Sequence, residues 1–186
     1  MGQVTLANKI SIIRIILIPF FITSVAYSRL DLALLVFAIA VISDGVDGFI
    51  ARALMQQTQL GTILDPIADK LLLTSAYICL SMVGNIPQYL RMPPYVPIIV
   101  ISRDVIIVIG SIVVYVVRGD VKISPSIIGK ATTFFQMVTI AGILVRFSHS
   151  FILWNATIIL TIASGLDYVM KGSKLLSENN ILKKAV

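Results

Sequence analysis

Four aspartates, Asp44, Asp47, Asp65 and Asp69, lie within 26 residues of the chain, between stretches that are almost entirely apolar. An ionised carboxylate in the middle of a membrane span costs about 2.5 to 3.5 kcal/mol on insertion scales, so folding alone gives no reason for four of them. Carboxylate oxygens are preferred ligands of hard cations such as Mg²⁺ and Mn²⁺. Two divalent cations would compensate four carboxylates, and such a pair recurs in displacement at phosphorus. These residues therefore predict a two-metal site for phosphate chemistry.

The spacing of the aspartates gathers them on two helix faces. Asp44 and Asp47 are three residues apart, and Asp65 and Asp69 are four apart. On a helix with 3.6 residues per turn, each pair lies on one face. The connection across residues 53–60 is short enough to make the two helices antiparallel neighbours, so we expect the two acidic faces to meet at similar depth.

A structural alternative is that these acids form salt bridges between helices, with Lys70 and Arg103 as partners. For one isolated aspartate, a salt bridge and a functional role have about equal weight. Two cations cannot neutralise the group of four, so the alternative does not account for the whole set.

Small residues near the aspartates also allow two explanations. They either leave space for a polar ligand at two helix backbones or let the helices pack closely in lipid. The same holds for Arg52, which could bind a phosphate or lie among lipid headgroups. The small residues are Gly45, Gly48, Ala51 and Gly61.

The elements that must position these residues are membrane-spanning helices. The chain has 186 residues, 58% hydrophobic and 13% charged, with a mean hydropathy of +0.98. A span needs about 20 mostly apolar residues, and the segments lack the alternation of barrel strands. We predict an all-α integral membrane protein with one domain over residues 1–186, in which residues 1–9 form a short interfacial segment. The six predicted spans cover approximately residues 10–27, 30–54, 61–83, 94–117, 125–147 and 151–170.

The basic residues predict the orientation of these spans, because lysine and arginine concentrate on the cytoplasmic side. If both termini are cytoplasmic, the outer side holds three basic residues, Arg29, Arg91 and Arg146. The inner side then holds ten: Lys9, Arg14, Arg52, Arg118, Lys122, Lys130, Lys171, Lys174, Lys183 and Lys184. The net charge of +6 then suits anionic lipid, and we predict no nucleic-acid partner.

The motif reads Asp44-x-x-Asp47-Gly48-x-x-Ala51-Arg52, then eight residues, then Gly61-x-x-x-Asp65-x-x-x-Asp69. It resembles, without a gap or exception, the signature of the CDP-alcohol phosphatidyltransferases, integral membrane enzymes of phospholipid synthesis. The stretch "NKISIIRIILIP" is also similar to the N-terminal part of that family, and six spans is the family's usual number.

The resemblance implies a homodimer in the bacterial inner membrane, with a polar cavity open to the cytoplasm in each protomer. CDP-diacylglycerol would enter from the membrane, an alcohol would attack its lipid-side phosphorus, and CMP would leave. Two divalent cations, Mg²⁺ or Mn²⁺, would be held by Asp44, Asp47, Asp65 and Asp69. Of these, Asp69 would also act as general base. The cytidine diphosphate would lie against Gly48, Ala51, Arg52 and Gly61.

The acceptor alcohol is indicated by two further cations. Arg103 and Lys130 stand where the family gathers basic residues for an anionic acceptor. The stretch "GKATTFFQM" resembles phosphatidylglycerophosphate synthases, which use glycerol 3-phosphate. Asp104 and Ser111 depart from that branch, and "SRD" with "PSIIGKATTFFQ" is closer to the cardiolipin synthases of the same family, whose acceptor is phosphatidylglycerol. We place glycerol 3-phosphate first and keep phosphatidylglycerol as the alternative.

A transporter is an alternative of a different class, because ion-coupled transporters also carry carboxylates at mid-membrane. Such proteins often show inverted repeats and broken helices in matching halves. The sequence shows neither feature, and release of CMP from CDP-diacylglycerol would distinguish the two classes.

Overall fold

The computed structural model describes the backbone of residues 6–53, 59–84, 87–118 and 126–184. Side chains are described for residues 12–43, 68–84, 87–114, 116 and 126–174. Within these ranges the backbone forms α-helices and one short 3-10 helix, with no strand. The helices are α1 (Leu6–Ala26), α2 (Leu30–Ala53), α3 (Gln59–Met82), α4 (Tyr95–Arg118), α5 (Ile127–Leu144) and α6 (Ser150–Lys184); the 3-10 helix is Gln88–Leu90.

The all-α prediction is confirmed, and each of these α-helices coincides with a predicted apolar stretch. By length and composition, three described segments are able to cross a membrane: Gln88–Val114, Ile127–Leu144 and Ser150–Lys174. Two shorter apolar helical segments are Ile12–Ala26 and Leu30–Ser43. The chain is an integral membrane protein, while the crossing of all six helices stays a prediction.

Two helices differ from the predicted boundaries. Helix α1 begins at Leu6, so it includes part of the predicted interfacial segment, whose residues 1–5 lie outside the described range. Helix α6 ends at Lys184, well beyond the predicted end at Met170. A helix satisfies its own backbone and need not end where apolar residues end, and no proline follows Met170. At 1.5 Å per residue, α6 is about 50 Å long and exceeds the roughly 30 Å of a hydrocarbon core.

The chain divides into two compact units. The first comprises Met1–Pro94 and Ile140–Ser150, and so holds α1, α2, α3 and the last part of α5. The second comprises Tyr95–Thr139 and Phe151–Val186, and so holds α4, most of α5 and nearly all of α6.

In the first unit, α1 packs against both α2 and α3. The buried rings of Phe21 and Phe37 join α1 to α2, with their centroids 6.1 Å apart. The apolar face of α3 is formed by fully or almost fully buried residues, Ala68, Leu72, Leu73, Ala76, Tyr77 and Leu80. Helix α1 is therefore the common support of the two helices that carry the four aspartates.

The ends of α1 and α5 in this unit are closed by the same backbone motif. Ser28 and Arg146 adopt left-handed conformations, with φ of 57° and 62°. After α1, Arg29 N–H donates to the Ser24 carbonyl, and Ser28 N–H donates to the Val25 carbonyl. This pairing satisfies carbonyls that a helix end leaves free. Arg146 also forms an exposed salt bridge of 3.2 Å with Asp31, which ties the end of α5 to the start of α2.

In the second unit, buried threonines join α5 to α6. The hydroxyls of Thr139 and Thr157 are 2.8 Å apart. Thr157 also donates to the Phe135 carbonyl at 3.2 Å, and Thr132 donates to the Leu160 carbonyl at 3.1 Å. Small hydroxyl residues let membrane helices approach closely and bond across the contact. These bonds fix the register of α5 against α6.

Candidate active site

The four aspartates lie on two continuous helices. Asp44 and Asp47 are in α2, and Asp65 and Asp69 are in α3, so the backbone keeps each pair on one helix face. Asp69 is half-buried, whereas the side chains of the other three lie outside the described range. The connection between α2 and α3 spans only residues 54–58, and both helices pack on α1. The convergence of the two acidic faces itself stays a prediction.

The residues expected to contact cytidine diphosphate belong to the same two helices. Gly48, Ala51 and Arg52 are in the last turns of α2, and Gly61 is in the first turn of α3. Their side-chain surroundings lie outside the described range. All of them therefore lie near the ends of α2 and α3 that the short connection joins.

The chemistry of the donor set fits two divalent cations, because the predicted ligands supply only carboxylate oxygens. Among the described side chains, no group of three or more His, Cys, Asp or Glu comes together. That range contains only Asp69 of the four predicted ligands. The metal site thus stays a prediction that rests on residue types and helix spacing.

Arg103 is a buried arginine of α4, with 8% of its surface exposed. Its Nη1 lies 2.8 Å from Oδ1 of Asp104, and its Nη2 donates to Oγ of Ser164 on α6 at 2.6 Å. Asp104 is likewise shielded, with 15% of its side chain exposed. The salt-bridge alternative therefore applies to Asp104, although its partner is the neighbouring residue on the same helix.

The start of α5 lies against the Arg103 guanidinium. A Cβ added to Gly129 would stand 3.3 Å from Arg103 Nη2 and 3.7 Å from Ser164 Oγ. Ser126 caps the helix, because its Oγ accepts a bond of 3.0 Å from the Gly129 N–H. Lys130 follows Gly129 and is exposed. Both predicted acceptor residues, Arg103 and Lys130, therefore lie in the second unit. Gly129 lies against the Arg103 side chain, and Lys130 is the next residue after Gly129.

The Arg103 guanidinium retains a donor for a ligand. Its Nε is buried and has no hydrogen-bond partner among the described residues. A buried donor without a partner costs about 1 to 3 kcal/mol, and such a group in a native structure calls for an explanation. An anion bound to Arg103 would supply the missing acceptor.

Two residues of interest were not among the sequence-based site residues. Arg14 of α1 is 1% exposed. The sequence could have indicated it as a site residue, because it is a charged residue in the middle of an apolar stretch. Ser164 is also 1% exposed and has no comparable signal. A serine in an apolar helix commonly bonds to its own backbone, so only the tertiary structure identifies Arg103 as its partner.

The sequence is similar to characterised families and proteins over most of its length. The family model described as CDP-alcohol phosphatidyltransferase matches residues 4–163. A CDP-diacylglycerol–glycerol-3-phosphate 3-phosphatidyltransferase of Haemophilus influenzae is 34% identical, over 89% of this chain and 93% of its own. An Aquifex aeolicus protein of the same name is 31% identical, over 91% and 96%. Human cardiolipin synthase (CMP-forming) is 31% identical, over 91% of this chain and 62% of its own.

Proposed function

The chain belongs to the CDP-alcohol phosphatidyltransferase family, and from this premise we propose that it transfers the phosphatidyl group of CDP-diacylglycerol to glycerol 3-phosphate. The products are phosphatidylglycerophosphate and CMP. The observation that supports an anionic acceptor is the buried Arg103, whose Nε lacks a partner among the described residues and whose Nη2 adjoins the start of α5. Glycerol 3-phosphate is placed first because the Haemophilus influenzae and Aquifex aeolicus relatives are named for that acceptor.

The charges in the second unit favour an anionic acceptor over a neutral one. Asp104 offsets the charge of Arg103 at 2.8 Å, so the net positive charge of this group comes from Lys130. A monoester carries a charge of about −1.5 to −2 at pH 7 and gains more from a cation than a neutral alcohol does. Choline-like or serine-like acceptors would not use these cations.

The carboxylates of the first unit supply the reaction chemistry. Asp44, Asp47, Asp65 and Asp69 would hold two Mg²⁺ or Mn²⁺ ions, which when bound neutralise charge on the diphosphate. Asp69 removes the proton of the acceptor hydroxyl while the hydroxyl oxygen attacks the lipid-side phosphorus. The bond between that phosphorus and the CMP oxygen breaks, and CMP departs with the electron pair. Positioning and charge therefore suffice, without a covalent enzyme intermediate.

The proposal includes an assembly and an orientation. The protein forms a homodimer in the bacterial inner membrane, and the cavity and both termini of each protomer face the cytoplasm. The distribution of ten basic residues on one predicted side against three on the other supports this orientation. A water-soluble acceptor then reaches the site from the cytoplasm.

Cardiolipin synthesis is the second candidate function, with phosphatidylglycerol as acceptor. The similarity to human cardiolipin synthase over 91% of this chain favours it, as does the presence of Asp104 directly after Arg103, which resembles the cardiolipin branch. A phosphodiester carries a single negative charge and would also interact with Arg103 and Lys130. The two functions therefore differ in the acceptor and not in the attacked phosphorus.

Lipid product analysis separates these functions. Purified protein in detergent receives labelled CDP-diacylglycerol with glycerol 3-phosphate, with phosphatidylglycerol, or with both. We expect labelled phosphatidylglycerophosphate whenever glycerol 3-phosphate is present. Cardiolipin as the only product would establish the second function, and absence of both lipids with no CMP released would contradict transferase activity altogether.

A further inference from the structure

Arg103 is held on two sides, and only one of these contacts joins different helices. Asp104 is its neighbour on α4, whereas Ser164 is 61 residues away on α6 and accepts a 2.6 Å hydrogen bond from Nη2. The bond is buried, since Ser164 is 1% exposed. A short bond from a charged donor is stronger and more directional than one between neutral groups. Ser164 therefore helps to fix the plane of the guanidinium, because a single contact with Asp104 would restrict the rotation of that group less.

Two glycines leave the space in which this arginine lies. An added Cβ at Gly129 would stand 3.3 Å from Arg103 Nη2, closer than ordinary van der Waals contact. The same addition at Gly165 would stand 3.7 Å from Arg103 Cγ, which is an ordinary contact. The polar end of the side chain is thus confined by α5, while its aliphatic part has more room beside α6.

We infer that Ser164 is a positioning residue for the acceptor: it orients Arg103 so that the guanidinium donates to the acceptor's phosphate. This inference rests on the proposed function, in which Arg103 binds that phosphate. Nη1 and Nη2 each make one hydrogen bond, to Asp104 and to Ser164, and Nε is a buried nitrogen without a partner among the described residues. Gly129 belongs to the same arrangement because a larger residue would press on Nη2.

A purely structural role for Ser164 makes a different prediction. A buried arginine needs hydrogen-bond partners, so loss of Ser164 would then lower stability and affect both substrates alike. A positioning role instead raises the KM of the acceptor and leaves the KM of CDP-diacylglycerol unchanged. The ratio of the two KM values is the readout that separates these roles.

The test compares Ser164→Ala with Thr161→Val in the purified full chain. Thr161 lies one turn earlier on α6, is fully buried, and bonds to the Thr157 carbonyl of its own helix. We expect Ser164→Ala to raise the acceptor KM about tenfold, because a misoriented Arg103 loses its charge-assisted hydrogen bond to the acceptor's phosphate, with the KM of CDP-diacylglycerol changed less than twofold. Thr161→Val should change neither KM. An unchanged acceptor KM in Ser164→Ala, or equal increases for both substrates, would overturn the inference.

A second pair keeps the inference testable if Ser164→Ala does not fold. Gly129→Ala should raise the acceptor KM, because the added Cβ would press on Nη2 at 3.3 Å and on the capping Ser126 Oγ at 3.2 Å, whereas Gly165→Ala, which makes the same change in a helix, should not. Equal effects of the two substitutions would contradict the arrangement. The wild-type acceptor is identified first, and KM is measured for that acceptor. If it is phosphatidylglycerol, the proposed function fails, while the KM ratios for phosphatidylglycerol still decide the role of Ser164.

Discussion

The acidic residues inside apolar segments differ in their counterions. Asp104 lies 2.8 Å from Arg103, and Asp167 lies 2.7 Å from Lys171. The motif from residue 44 to residue 69 contains four aspartates but one basic residue, Arg52. Ion pairing within this stretch therefore leaves a net charge of −3, which divalent cations are suited to compensate. Individual acids in this protein can thus be structural, and the excess of negative charge in the motif is what leads us to predict bound divalent cations.

Substitution of the proposed base tests its role directly. Asp69→Asn keeps the size of the side chain and removes its ability to take a proton. Since general-base catalysis typically contributes 10²- to 10⁴-fold, we expect kcat to fall by at least about 100-fold. Binding of CDP-diacylglycerol, measured separately by equilibrium titration, should change much less. Near wild-type turnover by a folded variant would remove Asp69 from this role.

Lys130 should act on the acceptor alone. It is exposed and follows Gly129 at the start of α5. We expect Lys130→Ala to raise the KM of glycerol 3-phosphate about tenfold, with little change for CDP-diacylglycerol, because a charge-assisted contact to phosphate is lost. Lys171→Ala is the matched control, an exposed lysine paired with Asp167 on α6. Equal effects of the two substitutions would indicate a general loss of surface charge.

The helices follow from the sequence to a greater extent than their contacts do. Apolar stretches of span length predicted where each helix lies, because a backbone in lipid must satisfy its own hydrogen bonds. The same criterion could not predict that α6 continues to Lys184, since hydropathy does not register a helix that continues beyond its apolar residues. Nor could it identify Ser164 as the partner of Arg103, because that bond joins residues 61 positions apart.

The contact between α5 and α6 should depend measurably on its threonines. Thr139→Val removes the 2.8 Å bond to Thr157 while keeping the shape of the side chain. Hydrogen bonds between membrane helices average about 0.6 kcal/mol, with a maximum of about 1.7 kcal/mol, and we expect a loss of stability in that range. Reversible unfolding in mixed micelles measures it. Thr161→Val, whose hydroxyl bonds within α6, is the control. A loss no greater than in that control would show that the interhelical bond contributes nothing.

At the scale of the whole molecule, the two sets of predicted site residues belong to different compact units. The four aspartates belong to the first unit, and Arg103 and Lys130 belong to the second. The motif was recognisable in the sequence because it is local and regularly spaced. The division into units was not, because α5 is one continuous helix whose two ends belong to different units, and no linker or change of composition marks the boundary.

The predicted orientation of the molecule rests on its basic residues and can be measured. A cleavable tag after Val186 should be accessible to protease in inside-out membrane vesicles and protected in right-side-out vesicles, because both termini are predicted to be cytoplasmic. A tag on the loop that contains His149 is the control with the opposite expectation. Protection of the C-terminal tag in inside-out vesicles would reverse the orientation and place the aspartates near the other surface.

The central claim is that this chain moves a phosphatidyl group from CDP-diacylglycerol to an acceptor at a metal-dependent acidic site. The most direct measurement is CMP release by purified protein, counted against the lipid formed from labelled glycerol 3-phosphate, with Mg²⁺ or Mn²⁺ present or chelated. We predict one CMP per phosphatidylglycerophosphate, no release without acceptor, and no reaction in excess chelator. Undiminished transfer in chelator would contradict the metal-dependent site, and CMP release that is independent of acceptor would contradict the transfer itself.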